Sequence, residues 1–255
     1  MGAMPYLSVV IPAYNEVENI KRGVLGSVYD YLKQQKYTWE VLLANDGSTD
    51  DTSKMLHKFA DKHKGFRVLD EPHRGKAGIV IAGMLKAAGE IVIFTDMDQA
   101  TPIDQLEKML PKFAEGYALA IGVRSGRKGA GLQRLAMAYG FAVLRFAILR
   151  LPFKDTQCGF KGFTNKAAKE IFRRMQVFRD GQASKGSAVT AGFDLEVLYI
   201  ARKLGYKVAE VQVEWSDSGE RGKHGVNPIK DSWEGLRDLI RVRVNAVLGK
   251  YKVQE

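Results

Sequence analysis

Phe94-Thr95-Asp96-Met97-Asp98-Gln99 is the stretch around which the chain is organised. It follows Glu90-Ile91-Val92-Ile93, an apolar run that predicts a buried strand. The strand carries two carboxylates to its carboxyl end, which is where open α/β sheets place their ligands. Two hard oxygen ligands at this spacing suit a divalent cation that in turn holds a diphosphate. An isolated Asp-x-Asp also fits a simple turn that caps a helix beginning near Pro102, so the rest of the chain decides between these interpretations.

Strand and helix patterns alternate around this stretch, which predicts a doubly wound, mostly parallel sheet over the first 123 residues. The predicted strands are 6–11, 39–44, 66–69, 90–93 and 117–123. Helices are predicted between them, with Asn15 as the N-cap of the first and Ser48 or Thr49 as the cap of the second. Because the turns follow the carboxyl ends of strands, we expect their polar side chains to converge on one crevice: Tyr14, Glu16, Asp46, Lys76, Asp96, Asp98 and Arg124.

The second half of the chain is less regular. Its patterns predict helices at 132–151, 165–175, 193–204 and 229–248 and strands at 156–163 and 206–213. The segment 216–227 is rich in glycine and charge, which predicts a mobile loop.

The composition is that of a basic globular protein. The chain has 255 residues, 45% of them hydrophobic, and a formal net charge of +10. No acidic residue lies between Gly116 and Lys154, but seven basic residues do: Arg124, Arg127, Lys128, Arg134, Arg145, Arg150 and Lys154. Such a concentration of positive charge predicts an anionic partner. The candidates are phosphate groups, an anionic membrane surface and nucleic acid.

Other bulk features narrow the class of protein. Cys158 is the only cysteine, so an internal disulfide is excluded and a reducing compartment is favoured. No signal-peptide pattern is visible. Aromatic stacking platforms and a basic groove-binding helix are not evident, so we do not expect nucleic acid to be the partner.

Six short motifs, in this order, resemble those of the inverting family 2 glycosyltransferases, which have the GT-A fold. They are Val-Val-Ile-Pro-Ala-Tyr-Asn-Glu at 9–16, Asn-Asp-Gly-Ser-Thr-Asp-Asp-Thr at 45–52, Arg-Gly-Lys at 74–76, Asp-Met-Asp-Gln-Ala-Thr-Pro at 96–102, Asp-Thr-Gln-Cys-Gly-Phe-Lys at 155–161 and Phe-Asp-Leu-Glu-Val-Leu-Tyr at 193–199. Within the family, the chain is most similar to the polyprenyl-phosphate hexosyltransferases, which comprise the dolichyl-phosphate β-glucosyltransferases and the enzymes like dolichol-phosphate mannose synthase. The motif at 155–161 distinguishes the members that use a lipid-phosphate acceptor from other members of family 2.

The resemblance implies an α/β, Rossmann-like, doubly wound sheet with acceptor-side helices towards the C-terminus. A catalytic domain at 5–215 would consist of a nucleotide-sugar half at 5–123 and an acceptor half at 124–215. A mobile loop and an interfacial helix would follow at 216–255.

On the donor side, the resemblance implies a nucleotide sugar and a divalent cation, Mg²⁺ or Mn²⁺. Asp98 would ligate the cation, Asp96 would bind the cation or the ribose, and whether Gln99 adds a metal contact stays open. The other donor contacts implied are Pro12, Ala13, Tyr14 and Glu16 to base and ribose, Asp46 on the uracil or ribose side, Lys76 near phosphate or sugar, and Met97 between the two aspartates.

On the acceptor side, the resemblance implies transfer of a hexose, glucose from UDP-glucose in the first place, to a polyprenyl or dolichyl phosphate. A phosphate monoester is largely ionised near neutral pH, so it needs fixed cations more than a strong base. The expected catalytic residues are Asp155, Arg124 and Arg134, with Asp155 as orienter or base. The expected phosphate contacts are Arg124, Arg127, Lys128, Arg134 and Lys161, and Lys223 would belong to a lid at 216–227.

The helix at 131–151 is shorter than the about 20 apolar residues that a membrane span needs. We therefore expect it to lie in the membrane interface, with 229–248 as a second contact, although ordinary packed helices fit the same pattern. The chain is then expected to be peripheral on the cytoplasmic face of a membrane. The alternative functions are a GDP-mannose-dependent transferase, a transferase with a soluble acceptor and a non-enzymatic nucleic-acid-binding protein.

Overall fold

The structure is a computed structural model that describes residues 4–124, 132–177, 191–216 and 228–252. For residues 132–138, 191, 228–232 and 234 it describes the backbone alone. Within this part of the chain, no helix is both long enough and apolar enough to cross a membrane.

A central sheet organises the described residues. Its strands are β1 Leu7–Ala13, β2 Trp39–Asp46, β3 Phe66–Glu71, β4 Ile91–Phe94, β5 Leu119–Arg124, β6 Lys161–Thr164 and β7 Val208–Val213. They pair in the order β3-β2-β1-β4-β6-β5-β7. Strand β6 is antiparallel to β4 and β5, whereas the other pairs are parallel. The mostly parallel sheet predicted from the sequence is confirmed.

Helices cover both faces of the sheet. They are α1 Val17–Lys21, α2 Val24–Leu32, α3 Thr52–Ala60, α4 Gly75–Lys86, α5 Leu106–Ala114, α6 Leu132–Leu149, α7 Asn165–Arg174, α8 Ala191–Lys203 and α9 Pro228–Val247, with a 3₁₀ turn at Ile103–Gln105. Successive strand residues point to opposite faces. Val10 packs in the core cluster that contains α4, α7 and α8, and its neighbour Val9 packs in the cluster that contains α2, α3 and α5.

The topology brings several strand ends together. The chain leaves β1 towards β2 on one side and returns to β4 on the other, so the strand order reverses between β1 and β4. Open α/β sheets bind ligands in the crevice at such a reversal, outside the carboxyl ends of the strands. Asp96 and Asp98 follow β4 at this point.

Three local predictions were wrong, for identifiable reasons. Asn15 does not cap a helix, because its backbone is left-handed with φ 56° and its side chain accepts a hydrogen bond from Thr49 N at 2.9 Å. The predicted first helix divides into α1 and α2 at Gly23, whose φ is +84°. Neither Ser48 nor Thr49 caps the second helix, which begins at Thr52 after Asp51.

The predicted strand at 156–163 is also shorter than expected, because β6 begins only at Lys161. The preceding segment turns around Asp155, whose Oδ1 accepts a hydrogen bond from Gln157 N at 3.0 Å. An aspartate that bonds the backbone two residues later favours a turn over an extended strand.

Close packing of α4 on β1 yields the first prediction. A Cβ at Gly83 would overlap Val10 Cγ1, whereas a Cβ at Gly26 in α2 meets nothing within 4 Å. Gly83→Ala should lower the free energy of unfolding by about 1–3 kcal/mol in spite of the better helix propensity of alanine. Gly26→Ala, the matched control, should raise it by up to about 1 kcal/mol. Urea unfolding measures both, and equal effects of the two variants would contradict the packing of α4 on β1.

Candidate active site

Hydrogen bonds between the turns that follow β1 and β2 fix one side of the crevice. Asn15 N donates to Ser48 Oγ at 3.1 Å, and Asn15 Nδ2 donates to Thr49 Oγ1 at 3.2 Å. Asn45 Nδ2 donates to Asp70 Oδ1 at 2.7 Å. An aspartate at position 45 would have no proton to donate to Asp70, so this bond explains why asparagine suits the position.

An aromatic platform lies beside these turns. The Tyr14 ring stacks on the His73 imidazole, with the ring centroids 4.2 Å apart and the planes inclined by 25°. Tyr14 is exposed, so one face of the pair is accessible to a flat ligand such as a nucleotide base. His73 was not predicted from the sequence, although it directly precedes the Arg-Gly-Lys motif at 74–76.

The buried Asp46 carboxylate contacts the His73 ring of this platform. The Asp46 side chain is 1% exposed, with Oδ2 at 2.8 Å from His73 Nδ1 and Oδ1 accepting a hydrogen bond from Arg74 N at 2.7 Å. The expectation that Asp46 contacts uracil or ribose directly is therefore corrected, because the carboxylate is buried and holds the loop before α4. Pro12 and Ala13 are both buried in β1, so their contact with base and ribose stays a prediction.

The carboxylates after β4 lie among other charges. Lys76 Nζ, in the first turn of α4, lies 2.6 Å from Asp96 Oδ1. Asp98 Oδ1 accepts a hydrogen bond from Ala100 N at 3.0 Å. The pKa of Glu16 is raised, first by burial and then by the negative charges of Asp98 and Asp96. These three carboxylates are thus close enough to repel one another.

The residues after β4 fit a divalent cation. Besides Asp96 and Asp98, the buried Gln99 Oε1 has no hydrogen-bond partner, while Gln99 Nε2 donates to Asp96 O at 2.9 Å. In the described part of the chain, no three His, Cys, Asp or Glu side chains form a metal-binding group. Mg²⁺ is usually held by one or two carboxylates together with water and substrate phosphates, which is the set available here. Met97 is corrected, because its side chain is buried in the core.

Arg124 and Asp155 form the opposite side of the crevice. Arg124 Nε and Nη2 donate to Asp155 Oδ2 and Oδ1 at 2.6 and 2.9 Å, so the ion pair is bidentate. The Arg124 guanidinium also lies over the Trp215 ring, 5.6 Å from its centroid. Trp215 is fixed by its neighbour, because Ser216 N donates to Ala100 O at 2.9 Å. Trp215 was not predicted as a site residue, and the only signal for it is its position just after β7.

The charge state of Asp155 follows from this pair. Burial alone would raise the pKa of Asp155, but the hydrogen bonds and the charge of Arg124 outweigh it and hold the pKa below its usual range. Asp155 is therefore ionised near neutral pH, and an ionised carboxylate of low pKa is a weak base. Arg124, one of the seven basic residues between Gly116 and Lys154, is therefore balanced by Asp155.

Lys161 is corrected as a phosphate contact. Its side chain is 0% exposed, and its Nζ donates to Asp194 Oδ1 at 2.7 Å and to Cys158 O. The ammonium also lies 5.5 Å from the centroid of the Phe94 ring. A lysine held in this way stabilises the join between β6 and α8 and does not reach a ligand in the crevice.

Arg145 has a structural role as well. It is buried in α6, and its guanidinium donates to Thr156 Oγ1 at 3.3 Å and to Phe153 O. It therefore ties α6 to the motif at 155–161. The predicted residues Arg127, Lys128 and Lys223 lie outside the described residues, as does the side chain of Arg134.

The two sides meet across a narrow crevice. Its lining includes Asp96, Thr101, Arg124, Gln157, Gly159 and Trp215. A Cβ at Gly159 would overlap Asp96 Oδ2, so glycine is needed for the motif at 155–161 to lie against the carboxylate. The structure thus brings together Glu16, Lys76, Asp96, Asp98, Arg124 and Asp155, as the sequence predicted.

The Arg124–Asp155 pair yields the second prediction. Asp155→Asn should lower the free energy of unfolding by about 2 kcal/mol, because the mostly buried guanidinium keeps its charge and loses its charged acceptor. Asp30→Asn is the control: Asp30 pairs with Lys33 at 2.6 Å with 62% of its side chain exposed. That change should cost less than about 0.5 kcal/mol. Urea unfolding measures both, and equally small losses would show that the buried pair is not structural.

Comparison with known proteins agrees with this geometry. The family model described as "Glycosyl transferase family 2" matches residues 8–172. The dolichyl-phosphate beta-glucosyltransferase of Homo sapiens is 31% identical over 271 residues, which cover 98% of this chain and 78% of that protein. The enzyme of the same name from Saccharomyces cerevisiae is 30% identical over 97% of this chain and 77% of its own length.

Solved structures agree on the fold. Glucosyl-3-phosphoglycerate synthase from Mycobacterium tuberculosis, in complex with Mn²⁺, UDP-glucose and phosphoglyceric acid, aligns with a TM-score of 0.63 at 19% identity and covers 98% of this chain and 81% of that one. A Pyrobaculum calidifontis mannosyltransferase in complex with GDP-Man and Mn²⁺ aligns at 0.56 and 18%, covering 99% and 77%. Both are glycosyltransferases of the GT-A fold. Motifs, fold and relatives agree, and the chain belongs to glycosyl transferase family 2.

Proposed function

We propose that this glycosyltransferase moves glucose from UDP-glucose to dolichyl phosphate or another polyprenyl phosphate, with inversion at the anomeric carbon. One observation carries the proposal: Asp96, which follows β4, and Arg124, which pairs with Asp155, line the same crevice. Transfer between two phosphorylated substrates needs two neighbouring subsites. One holds the leaving diphosphate, and the other holds the incoming phosphate. The dolichyl-phosphate beta-glucosyltransferases that match nearly the whole chain support the choice of substrates.

On the donor side, the base is placed on Tyr14 and the diphosphate next to Lys76. Asp96 and Asp98, with Gln99 Oε1 as a further oxygen, hold a Mg²⁺ or Mn²⁺ ion. That ion, when bound, offsets the negative charge that develops on the departing nucleoside diphosphate. Lys76 adds a positive charge at the N-terminus of α4, where backbone N–H groups also favour an anion.

On the acceptor side, the N–H groups of Arg124 that Asp155 does not engage donate hydrogen bonds to the incoming phosphate. The low pKa of Asp155 favours the role of orienter over that of base, because a phosphate oxygen is already a nucleophile and needs no strong base. The bidentate pair also neutralises the Asp155 carboxylate, which would otherwise repel the substrate. Arg127, Lys128 and Arg134 stay predicted further contacts, and Lys223 stays a predicted part of a lid.

We further propose that the chain binds to the surface of a membrane through α6 and α9. At about 100° per residue, Trp233, Ile240, Val244 and Val247 lie on one stripe of α9. All four side chains are exposed, Trp233 by 70%. Arg243 and Arg241 flank the stripe on its two sides and are exposed too. An exposed apolar stripe bordered by arginines is typical of a helix that lies in an anionic membrane interface.

Helix α6 adds a second exposed apolar stripe next to α9. Tyr139, Val143 and Phe146 are exposed on α6, and Phe141 of the same helix packs on Gly235 of α9. A membrane location suits an acceptor whose polyprenyl chain lies in the bilayer. The cytoplasmic face is proposed on the ground that a single cysteine suits a reducing compartment.

The third prediction tests the donor side. Asp98→Asn keeps an acceptor for Ala100 N but removes the charge, so Mn²⁺-dependent transfer from UDP-glucose to dolichyl phosphate should fall by at least about 100-fold. The unfolding temperature should not change. The control Asp104→Asn removes an exposed carboxylate that does not line the crevice and should leave transfer unchanged. Radioactive sugar in the lipid product measures the rate.

Several outcomes would contradict the proposal. Undiminished transfer by Asp98→Asn at limiting Mn²⁺ would remove this residue from the cation site. Faster transfer from GDP-mannose than from UDP-glucose would show that the proposed donor is wrong. Transfer only to water-soluble phosphates would show that the proposed acceptor is wrong.

The fourth prediction tests the membrane surface. Ile240→Glu combined with Val244→Glu places two negative charges in the apolar stripe and should abolish co-flotation with anionic phosphatidylserine vesicles. The control Lys54→Gln with Lys58→Gln lowers the net charge by the same amount at two exposed positions of α3. It should leave flotation largely intact. Equal losses in both would show that net charge, not the stripe, drives binding.

A further inference from the structure

Lys76 occupies an unusual position, because it is a cation among the groups that are expected to bind a cation. Its Nζ lies 2.6 Å from Asp96 Oδ1, and 34% of its side chain is exposed. The chain reaches this position through Gly75, whose φ of +78° turns the loop after His73 into α4. The packing of α4 on β1 then holds the first turn of the helix at the end of β4.

Lys76 acts on more than one carboxylate. Burial and the charges of Asp98 and Asp96 raise the pKa of Glu16, and Lys76 opposes that rise. The pKa of Asp194 is raised by burial, and the charges of Lys161 and then Lys76 oppose it. Lys76 is thus a resident counter-ion for the acidic cluster of Glu16, Asp96 and Asp194.

The two lysines in this region differ in how firmly they are held. Lys161 is fully buried, and Asp194, Cys158 O and the Phe94 ring surround its ammonium. Lys76 is partly exposed and carries its ammonium on a flexible four-carbon side chain. Lys76 is therefore more easily withdrawn from its carboxylate than Lys161, because its side chain is partly exposed.

We propose that Lys76 is an exchangeable counter-ion. It neutralises Asp96 in the metal-free protein, leaves Asp96 when a divalent cation binds there, and is then taken over by the diphosphate of the donor. The last of these steps rests on the proposed function, whereas the competition between Lys76 and the metal does not. Lys76 therefore has two opposite effects on affinity. It weakens binding of the metal alone, and it strengthens binding of metal and nucleotide together, whereas an ordinary donor contact would not weaken metal binding.

Such an exchange couples the two ligands. A nucleotide that withdraws Lys76 from Asp96 raises the affinity for the metal, and by linkage the metal raises the affinity for the nucleotide by the same factor. Cooperative loading follows from this coupling, because neither ligand alone releases the full attraction of the site.

The test compares Lys76→Met with the wild type, using Mn²⁺ alone as the probe. Electron paramagnetic resonance of free Mn²⁺ should show at least about fivefold tighter binding by the variant, because a competing charge is gone. With Mn²⁺ present, UDP should bind at least about fivefold more weakly to the variant. Lys76→Arg, which keeps the charge, and Lys33→Met, which removes a distant lysine, should not tighten Mn²⁺ binding. Unchanged or weaker Mn²⁺ binding by Lys76→Met would overturn the proposal.

A measurement on the wild type does not depend on how the variant folds. Reductive methylation, mapped by mass spectrometry, reports the accessibility of the Lys76 amine. Mg²⁺ alone should raise its labelling, and Mg²⁺ with UDP should lower it again. Protection or no change with Mg²⁺ alone would contradict the exchange. Tighter Mn²⁺ binding by Lys76→Met without any UDP binding would instead disprove the proposed donor and leave the competition standing.

Discussion

Negative charge gathered at the carboxyl edge of the sheet is the constraint on which the rest of the structure depends. Four carboxylates there lie against a basic side chain: Asp46 against His73, Asp96 against Lys76, Asp155 against Arg124 and Asp194 against Lys161. Burial of such pairs is costly, and removal of one partner is costlier still. The pairs therefore fix where the loops lie, and they differ in how easily a ligand replaces the cation.

That difference in burial assigns separate roles to similar residues. The Lys161–Asp194 pair is buried and joins β6 to α8, so it supports the floor of the site. The Lys76–Asp96 pair is partly exposed and faces the crevice, so its cation is open to replacement. The Arg124–Asp155 pair lies between these extremes and presents a guanidinium whose carboxylate partner is already satisfied. Position relative to solvent, more than residue type, thus decides which charges act on substrates.

Much of the fold was predictable from the sequence, because apolar strands and periodic helices follow from local patterns. The order of motifs also located Glu16, Lys76, Asp96, Asp98, Arg124 and Asp155 at one edge of the sheet, where the structure places them. Local patterns failed where one residue type serves several purposes. Asn15 has the chemistry of a helix cap, but it instead joins two turns that are 34 residues apart in the chain.

The remaining features depend on contacts that the sequence does not encode locally. Nothing near Lys161 reveals that Asp194, 33 residues later, buries it, since a strand in the middle of a sheet is covered on both faces. Tyr14 and His73 stack only because β1 and the loop before α4 meet in space. The contact of Asp46 with the nucleotide was predicted from its motif alone. The motif does not show that His73 and Arg74, from a distant part of the chain, enclose the carboxylate.

The most direct test of the account is the structure of the product formed from UDP-glucose and a short polyprenyl phosphate in the presence of Mn²⁺. Proton NMR of the purified lipid product measures the configuration at the anomeric carbon. The account predicts a β-linked glucosyl phosphate, because the acceptor phosphate beside Arg124 attacks from the side opposite the departing diphosphate at Asp96 and Asp98. An α-linked product, or hydrolysis of UDP-glucose without any lipid product, would contradict it.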